Sequence, residues 1–348
     1  TRSMKTLAAV IRNRVHWDAE VFLADDAGHT ERLGISPARP GDPWSLKLAL
    51  ADLDRAFARS GRMIGALLIV GGPEIVPFHH LPNPVDDQDL DVPSDNPYST
   101  RDENYFFPEW PVGRLPAGKG RDPSLLEALL ESLIARHSAR VPEAHFYERW
   151  WSKAADWVHH RLPWNEPGPW PGQRPSLGYT AAAWKTAATD VFVPIGRSRS
   201  LLVSPPSGLN GHTNGSPVKV FPAAHLGYFN LHGIQDGPEW FGQRDFTVED
   251  DGPDYPVALR PQDLSACRPI PEIVFSEACY GAYIYEKAPE EALSISFLAA
   301  GSLAFAGSTC ISYGALQPPL AAADLLGQFF WTYLKRGLPA GEALRQAK

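Results

Sequence analysis

The sequence predicts an α/β fold, a mostly parallel sheet with helices on both faces. Three observations carry this. Short apolar runs alternate along the chain with segments of helical periodicity. The runs are continuously apolar rather than alternating, as in strands buried on both faces. Two of them stop at a reactive side chain followed by glycine, and ligands meet parallel sheets at the carboxyl ends of their strands.

The elements follow in order. Residues 48–57 have the apolar spacing of an amphipathic helix, and Ala66-Leu67-Leu68-Ile69-Val70 before Gly71-Gly72-Pro73 reads as a short buried strand and turn. Residues 73–111 are rich in proline and aspartate and too long for a plain connector, so a functional role is expected there. Residues 110–116 read as a short strand and turn, and 123–140 as a helix with proline in its first turn. Residues 145–178 hold Trp150, Trp151, Trp157, Trp164 and Trp170 among prolines and glycines. They read as a surface insertion whose tryptophans cover the core, with a partner or substrate platform as the alternative.

Residues 181–191 are expected to be helical, and Ser200-Leu201-Leu202-Val203-Ser204 a strand stopped by Pro205-Pro206. Strands then end at His232 and Cys279, followed by a helix over 290–300, a strand over 302–307 and a long helix over 320–336. Residues 339–348 read as an unfinished helix, so the chain is expected to be part of a longer protein. Two subdomains are expected, 1–140 as an N-terminal α/β part and 141–348 as the catalytic part carrying the insertion.

Composition narrows the function. Hydrophobic residues at 44% and charged residues at 21% are ordinary for a globular chain of 348 residues. A net charge of -8 and a pI of about 5.8 leave no basic patch for nucleic acid and no lysine-rich helix for a membrane surface. Three cysteines, Cys267, Cys279 and Cys310, cannot all pair, and Thr1-Arg2-Ser3-Met4-Lys5 opens no signal-peptide core. A reducing, cytoplasmic location is therefore expected.

The chemistry centres on Leu226-Gly227-Tyr228-Phe229-Asn230-Leu231, which ends in His232-Gly233, and on Ile273-Val274-Phe275-Ser276-Glu277-Ala278, which ends in Cys279-Tyr280-Gly281. Neighbouring strands that end at a histidine and a cysteine set a thiol beside its base. The thiolate is the nucleophile, and an imidazole both stabilises it and protonates the leaving amine. The backbone N–H groups of Gly233 and Cys279 are the candidate oxyanion hole. Gly233 would let substrate approach that backbone, and Gly281 would permit the tight turn after the thiol. Cys267 and Cys310 read as structural thiols, and His79-His80 and His159-His160 as surface or structural. No G-x-S-x-G elbow, zinc-type Cys/His spacing or phosphate-binding glycine loop is present, so neither a serine nucleophile nor a metal site is expected.

These segments resemble the caspase-like cysteine peptidases, most of all the gingipain-type branch and related bacterial CHAT domains. Glu277-Ala278-Cys279-Tyr280-Gly281 is close to the caspase pattern Gln-Ala-Cys-x-Gly, with a histidine about 47 residues upstream. The other matching segments are Leu68-Ile69-Val70-Gly71-Gly72, Ser94-Asp95-Asn96-Pro97-Tyr98 with Pro111-Val112-Gly113-Arg114-Leu115-Pro116, and Ala306-Gly307-Ser308-Thr309 with Ser312-Tyr313-Gly314. The resemblance implies a caspase-hemoglobinase-like three-layer sandwich, with a mostly parallel sheet of about six strands. It also implies a cysteine endopeptidase working through His232 and Cys279 without a cofactor and cleaving protein or peptide substrates after Arg or Lys. Asp95 matches an aspartate at the bottom of the first specificity pocket, the alternative being a turn-starting residue before Pro97. Ser312 and Tyr313 fall where the family builds a wall of that pocket.

Asp86-Asp87-Gln88-Asp89-Leu90-Asp91 and Glu249-Asp250-Asp251 read as solvated loops, with a calcium site, as in some relatives, as the alternative. Lys287 lies where many relatives are cut during maturation. Two other readings stay open. One is a CHAT-type protease held inactive until a regulatory partner opens its cleft, with one dedicated substrate in a defence or cell-death system. The other is a non-catalytic caspase-like scaffold. The stretch between Asp95 and His232 is longer than in the secreted gingipains.

Overall fold

The computed structural model describes residues 2–14, 17–120, 122–139, 175–206, 221–247, 252–267 and 269–348. The five tryptophans of the expected insertion, His159-His160 and Glu249-Asp250-Asp251 lie outside the described residues. Packing divides the chain into one unit of Thr1–Val21 with Leu130–Arg174 and a second of Phe22–Leu129 with Pro175–Lys348. Helix α1 (Arg2–Arg12) belongs to the first.

The second unit begins with α2 (Ala27–Leu33) and α3 (Pro43–Ala58). Asp26 and Asp42 cap them, accepting the N–H groups of His29 and Ser45 at 2.7 and 3.0 Å. This cap and Pro43 start α3 ahead of its apolar stripe. Strand β1 (Leu67–Val70) is followed by the antiparallel pair β2 (His79–Pro82) and β3 (Asp91–Ser94), a 3-10 turn over Asn96–Ser99, and β4 (Val112–Leu115), which returns to pair in parallel with β1. The buried Lys47 of α3 holds the end of that 3-10 turn, donating to the carbonyls of Pro97 and Thr100 at 2.9 and 2.7 Å. His79 is buried edge-on to Trp44 and Tyr98, and burial pulls its imidazole down to about 4. Helix α4 (Ser124–Ser138) runs across the boundary between the two units.

The rest of the second unit builds the main sheet. Strands β5 (Ser176–Ala181), β6 (Leu201–Ser204) and β7 (Leu226–Asn230) are followed by the short antiparallel pair β8 (Trp240–Phe241) and β9 (Val257–Leu259), then by β10 (Ile273–Ser276) and β11 (Ala304–Ala306). The sheet order is β11-β10-β7-β5-β6, and every neighbour pairs in parallel. The helices are α5 (Lys185–Phe192), α6 (Leu293–Ala299), α7 (Ala322–Lys335) and α8 (Ala340–Ala347). This is the α/β architecture expected, with five strands in the parallel sheet and the β1/β4 pair standing apart as its own two-stranded sheet.

Both faces of the sheet are buried, which explains its unbroken apolar strands. On one face Leu177, Tyr179, Phe229 and Val274 pack with Leu293 and Phe297 of α6. On the other Tyr228 and Phe275 pack with Val191 of α5 and with Phe330 and Trp331 of α7. One expected boundary differs. Ala181 ends a strand rather than beginning a helix, and the helix starts only at Lys185. Burial of β5 between β6 and β7 outweighs the helix preference of its alanine. Among the described residues no helix is long and apolar enough to cross a membrane.

Phe275 lies on the strand that leads to Cys279, with its ring 5.3 Å from that of Phe330 and 6.1 Å from that of Trp331. Phe275→Ala is expected to cost about 3–5 kcal/mol of stability, read as a lower urea midpoint at unchanged slope.

Candidate functional site

The site is built by the register of β7 against β10. Phe229 stands opposite Ser276, so His232 and Cys279 each lie three residues beyond the last matched pair. The ladder runs one step further, with the Glu277 N–H donating to the Phe229 carbonyl at 2.8 Å. His232 then turns to an antiparallel bridge with Phe241, exchanging two backbone bonds of 2.8 Å. Both candidate residues are thus at the carboxyl edge of adjacent strands.

The structure assigns Gly233 a firmer reason than substrate approach. A Cβ there would fall 2.1 Å from the Cys279 carbonyl oxygen, a backbone atom with little freedom to retreat. The two loops touch only because residue 233 has no side chain. Among the described residues neither the Gly233 nor the Cys279 N–H donates to a backbone carbonyl, as an anion-binding pair requires. In the turn that follows, the left-handed residue is Tyr280 at φ 55°, not Gly281. A side chain held there stores on the order of 1–3 kcal/mol of strain, so other bonds must hold it. Tyr280 donates its N–H to the Cys310 carbonyl at 2.9 Å and its hydroxyl to Asp89 at 2.6 Å.

The imidazole of His232 is flanked by Trp184, with ring centroids 4.3 Å apart, and by the edge-on ring of Tyr255 at 5.3 Å. Its Nε2 lies 2.9 Å from Gln243 Oε1. Burial lowers the imidazole below its usual value of about 6.5, and the Gln243 bond opposes that shift. The Cys279 sulfur accepts the Ser312 N–H at 3.3 Å and donates to the Ser312 carbonyl at 3.6 Å. Burial raises the thiol, and the charges of Asp89 and Asp87 raise it further, against the Ser312 N–H. Burial thus opposes charge on both side chains, and the hydrogen bonds of each run to other partners, Gln243 for the imidazole and the Ser312 backbone for the thiol.

The Ser312 backbone lies against the Cys279 sulfur, and the neighbouring Tyr313 is half exposed. The acidic loop is more than a solvated one. Asp89 accepts the Tyr280 hydroxyl and the Ile311 N–H at 2.7 Å, and Asp87 accepts the Tyr313 hydroxyl at 2.6 Å. It straps the Cys279 turn to the 311–313 segment. Among the described residues no group of three or more His, Cys, Asp or Glu side chains is arranged to hold a metal ion.

Asp95 stands differently from a pocket floor waiting for a cation. Both its oxygens are taken by Arg114, at 2.9 and 2.6 Å, and the guanidinium also donates to the Gly71 carbonyl at 2.9 Å and lies over Phe78. The pair is largely buried, so its charge is matched inside the protein. Lys287 is also engaged, donating to the Gln235 carbonyl and lying over the Tyr283 ring. Cys267 is buried, and Cys310 bonds with Ser308.

Beneath the Cys279 turn lies a second carboxylate system. Glu277 is buried and accepts the Tyr228 hydroxyl at 3.1 Å, and the charge of the buried Asp324 of α7 acts on it. Asp324 in turn accepts the Ala315 N–H at 2.5 Å. Burial first, then the Asp324 charge, pushes the Glu277 carboxyl well above the usual range. Sequence reading missed Trp184, Gln243, Tyr255, Asp324 and the strap contacts of Asp87 and Asp89. Trp184, Asp324 and the strap residues lie on elements remote in the chain from the residues they serve, and Gln243, only 11 positions after His232, stands in a segment with no motif to mark it.

No family model matches the chain, and no curated protein matches it. Two solved structures are similar. A protease structure aligns at TM-score 0.45 and 14% identity over 78% of this chain and 50% of its own, so this chain spans half of that protein. A complex of the pro- and mature domains of Porphyromonas gingivalis RgpB aligns at TM-score 0.50 and 11% identity, over 99% of this chain and 70% of that one. The second likeness is one of fold, the caspase-like α/β fold of that gingipain.

A proton held by Glu277 in the fold stabilises it fully below about pH 4.3, where a free glutamate titrates. That stability is lost as pH rises toward the raised folded value. The wild-type melting temperature is therefore expected to fall between pH 5 and pH 9, and Glu277→Gln, which keeps a donor there, is expected to fall less.

Proposed function

We propose that this chain is a cysteine endopeptidase in which Cys279 is the nucleophile and His232 the acid–base. The observation that carries the reading is the convergence of the two residues at one sheet edge, with the Gly233 backbone against the Cys279 carbonyl. The Cys279 thiol proton passes to His232 as sulfur bonds to the substrate carbonyl carbon, and the N–H groups of Gly233 and Cys279 receive the oxyanion. The imidazolium then protonates the amine as the C–N bond breaks, leaving an acyl-enzyme. Water gives its proton to His232 as it attacks, and the acid and the thiol are released. The caspase-like fold supports this reading at the level of architecture.

The peptidase prefers Arg or Lys, and since Arg114 already pairs with Asp95, other carboxylates support that preference. The carboxylates whose charge acts on Cys279 are Asp89 and Asp87, beside the Ser312-Tyr313 segment. A second reading has its own observation. His232 is bonded to Gln243 and the Cys279 sulfur to the Ser312 backbone, which favours a protease that a partner or substrate must activate.

Peptidyl-Arg and peptidyl-Lys chloromethylketones, with a peptidyl-Asp control and adduct mapping by mass spectrometry, test the function. Labelling is expected at Cys279 with the basic reagents, to be absent in Cys279→Ala and slowed at least about 100-fold in His232→Ala. Cys279 unlabelled by every reagent in the presence of candidate partners would favour a scaffold.

Asp95→Ala separates pocket from structure. It leaves Arg114 buried and unpaired, so a stability loss of about 3 kcal/mol is expected in chemical denaturation. Where the variant remains folded, the ratio of Arg to Asp reagent labelling is expected to match the wild type.

A further inference from the structure

We infer that Gln243 is the positioning residue of His232, selecting the tautomer in which Nε2 carries the proton and Nδ1 is left as the base. The inference rests on the reading of His232 and Cys279 as a dyad.

Gln243 is held by backbone, not by its side chain alone. Its N–H donates to the Ser204 carbonyl at 3.1 Å, and its carbonyl accepts the Ala183 N–H at 3.2 Å. The residue therefore spans the carboxyl ends of β5 and β6, while Phe241, two residues before it, bridges to His232 itself. Gly242 makes this path possible, since a Cβ there would lie 2.3 Å from Ser204 Oγ and 2.4 Å from its carbonyl oxygen. The amide thus reaches the imidazole from a rigid platform built by three strands. Trp184 and Tyr255 limit rotation of the ring from its other sides.

A neutral imidazole has one N–H and one lone pair, and the partner of one nitrogen decides which is which. With the Gln243 carbonyl oxygen 2.9 Å from Nε2, the proton sits on Nε2 and the lone pair on Nδ1. When Nδ1 takes the thiol proton, the resulting cation keeps its Nε2–H bond, and no group has to reorganise. A neutral amide supports that cation without fixing it. A carboxylate in its place would hold the ring protonated to higher pH and so favour a standing thiolate–imidazolium pair. An apolar residue would leave a buried N–H unbonded, which costs more than the bond contributes. Among the described residues, burial and Gln243 are the influences that move His232, with no charged group among them.

The test uses the purified chain with His232→Ala, Gln243→Leu and Gln243→Glu. Nitrogen-15 shifts of the His232 ring report its tautomer and titration, and iodoacetamide alkylation of Cys279 from pH 5 to pH 9 reports the thiolate. The wild type is expected to show the Nε2–H tautomer. Gln243→Leu is expected to lose that bias, titrate lower and alkylate about tenfold more slowly at pH 7, one pKa unit corresponding to a factor of ten. Gln243→Glu, nearly the same shape, is expected to titrate higher and to extend alkylation to lower pH, which separates the role from a folding defect. An Nδ1–H tautomer in the wild type overturns the inference. So does a His232→Ala effect on alkylation that neither Gln243 variant reproduces in part. If His232→Ala itself leaves alkylation unchanged, the dyad reading fails, and this inference fails with it.

Discussion

The parallel pairing of β7 with β10 is the constraint on which the rest of the site depends. Matching Phe229 to Ser276 leaves the same three-residue overhang on both strands, and the overhangs end at His232 and Cys279. A slip of one residue would turn one of the two strands inside out, moving Tyr228 or Phe275 to the wrong core. The hydrophobic core and the placement of the candidate dyad are therefore one problem. The aromatic residues that lock the register against α6 and α7 also fix which atoms meet at the edge.

Close approach is the second theme. Gly233 lies on the Cys279 carbonyl and Gly242 on Ser204, and each contact leaves no room for a methyl group. These two glycines let loops from separate strands pack backbone to backbone at the sheet edge. Around them the polar groups are arranged in layers. Ser312 touches the sulfur, the Asp87–Asp89 strap holds the Tyr280 turn and Tyr313, and the Glu277–Asp324 pair underlies the turn from the core side. The strap is acidic, and the charges of Asp89 and Asp87 raise the Cys279 thiol beyond what burial does.

Much of this was legible in the chain. The apolar strands, the alternation with helices and the two strand-end motifs were enough for the α/β sheet and for the pair at its carboxyl edge. Asp95 shows what the chain alone does not carry. Its segment matches a motif, but Arg114, nineteen positions on in β4, takes both of its oxygens. A motif gives a residue's type and neighbours, whereas the charge it meets comes from another strand. The acidic run at 86–91 misleads in the same way, because its partners are Tyr280, Ile311 and Tyr313, about two hundred residues away.

Which segments are buried strands, where they stop and which reactive residues stand at their ends can be read from the chain alone. Those are local facts, written in hydrophobic periodicity and in glycine. What surrounds these residues emerges on folding: Gln243, Trp184 and Tyr255 on the imidazole, Ser312 and the acidic strap on the thiol, Arg114 on Asp95. The physical reason is that hydrogen-bond partners and local charge depend on distance in space. In a parallel sheet every neighbour is brought in by a crossover from a remote part of the chain.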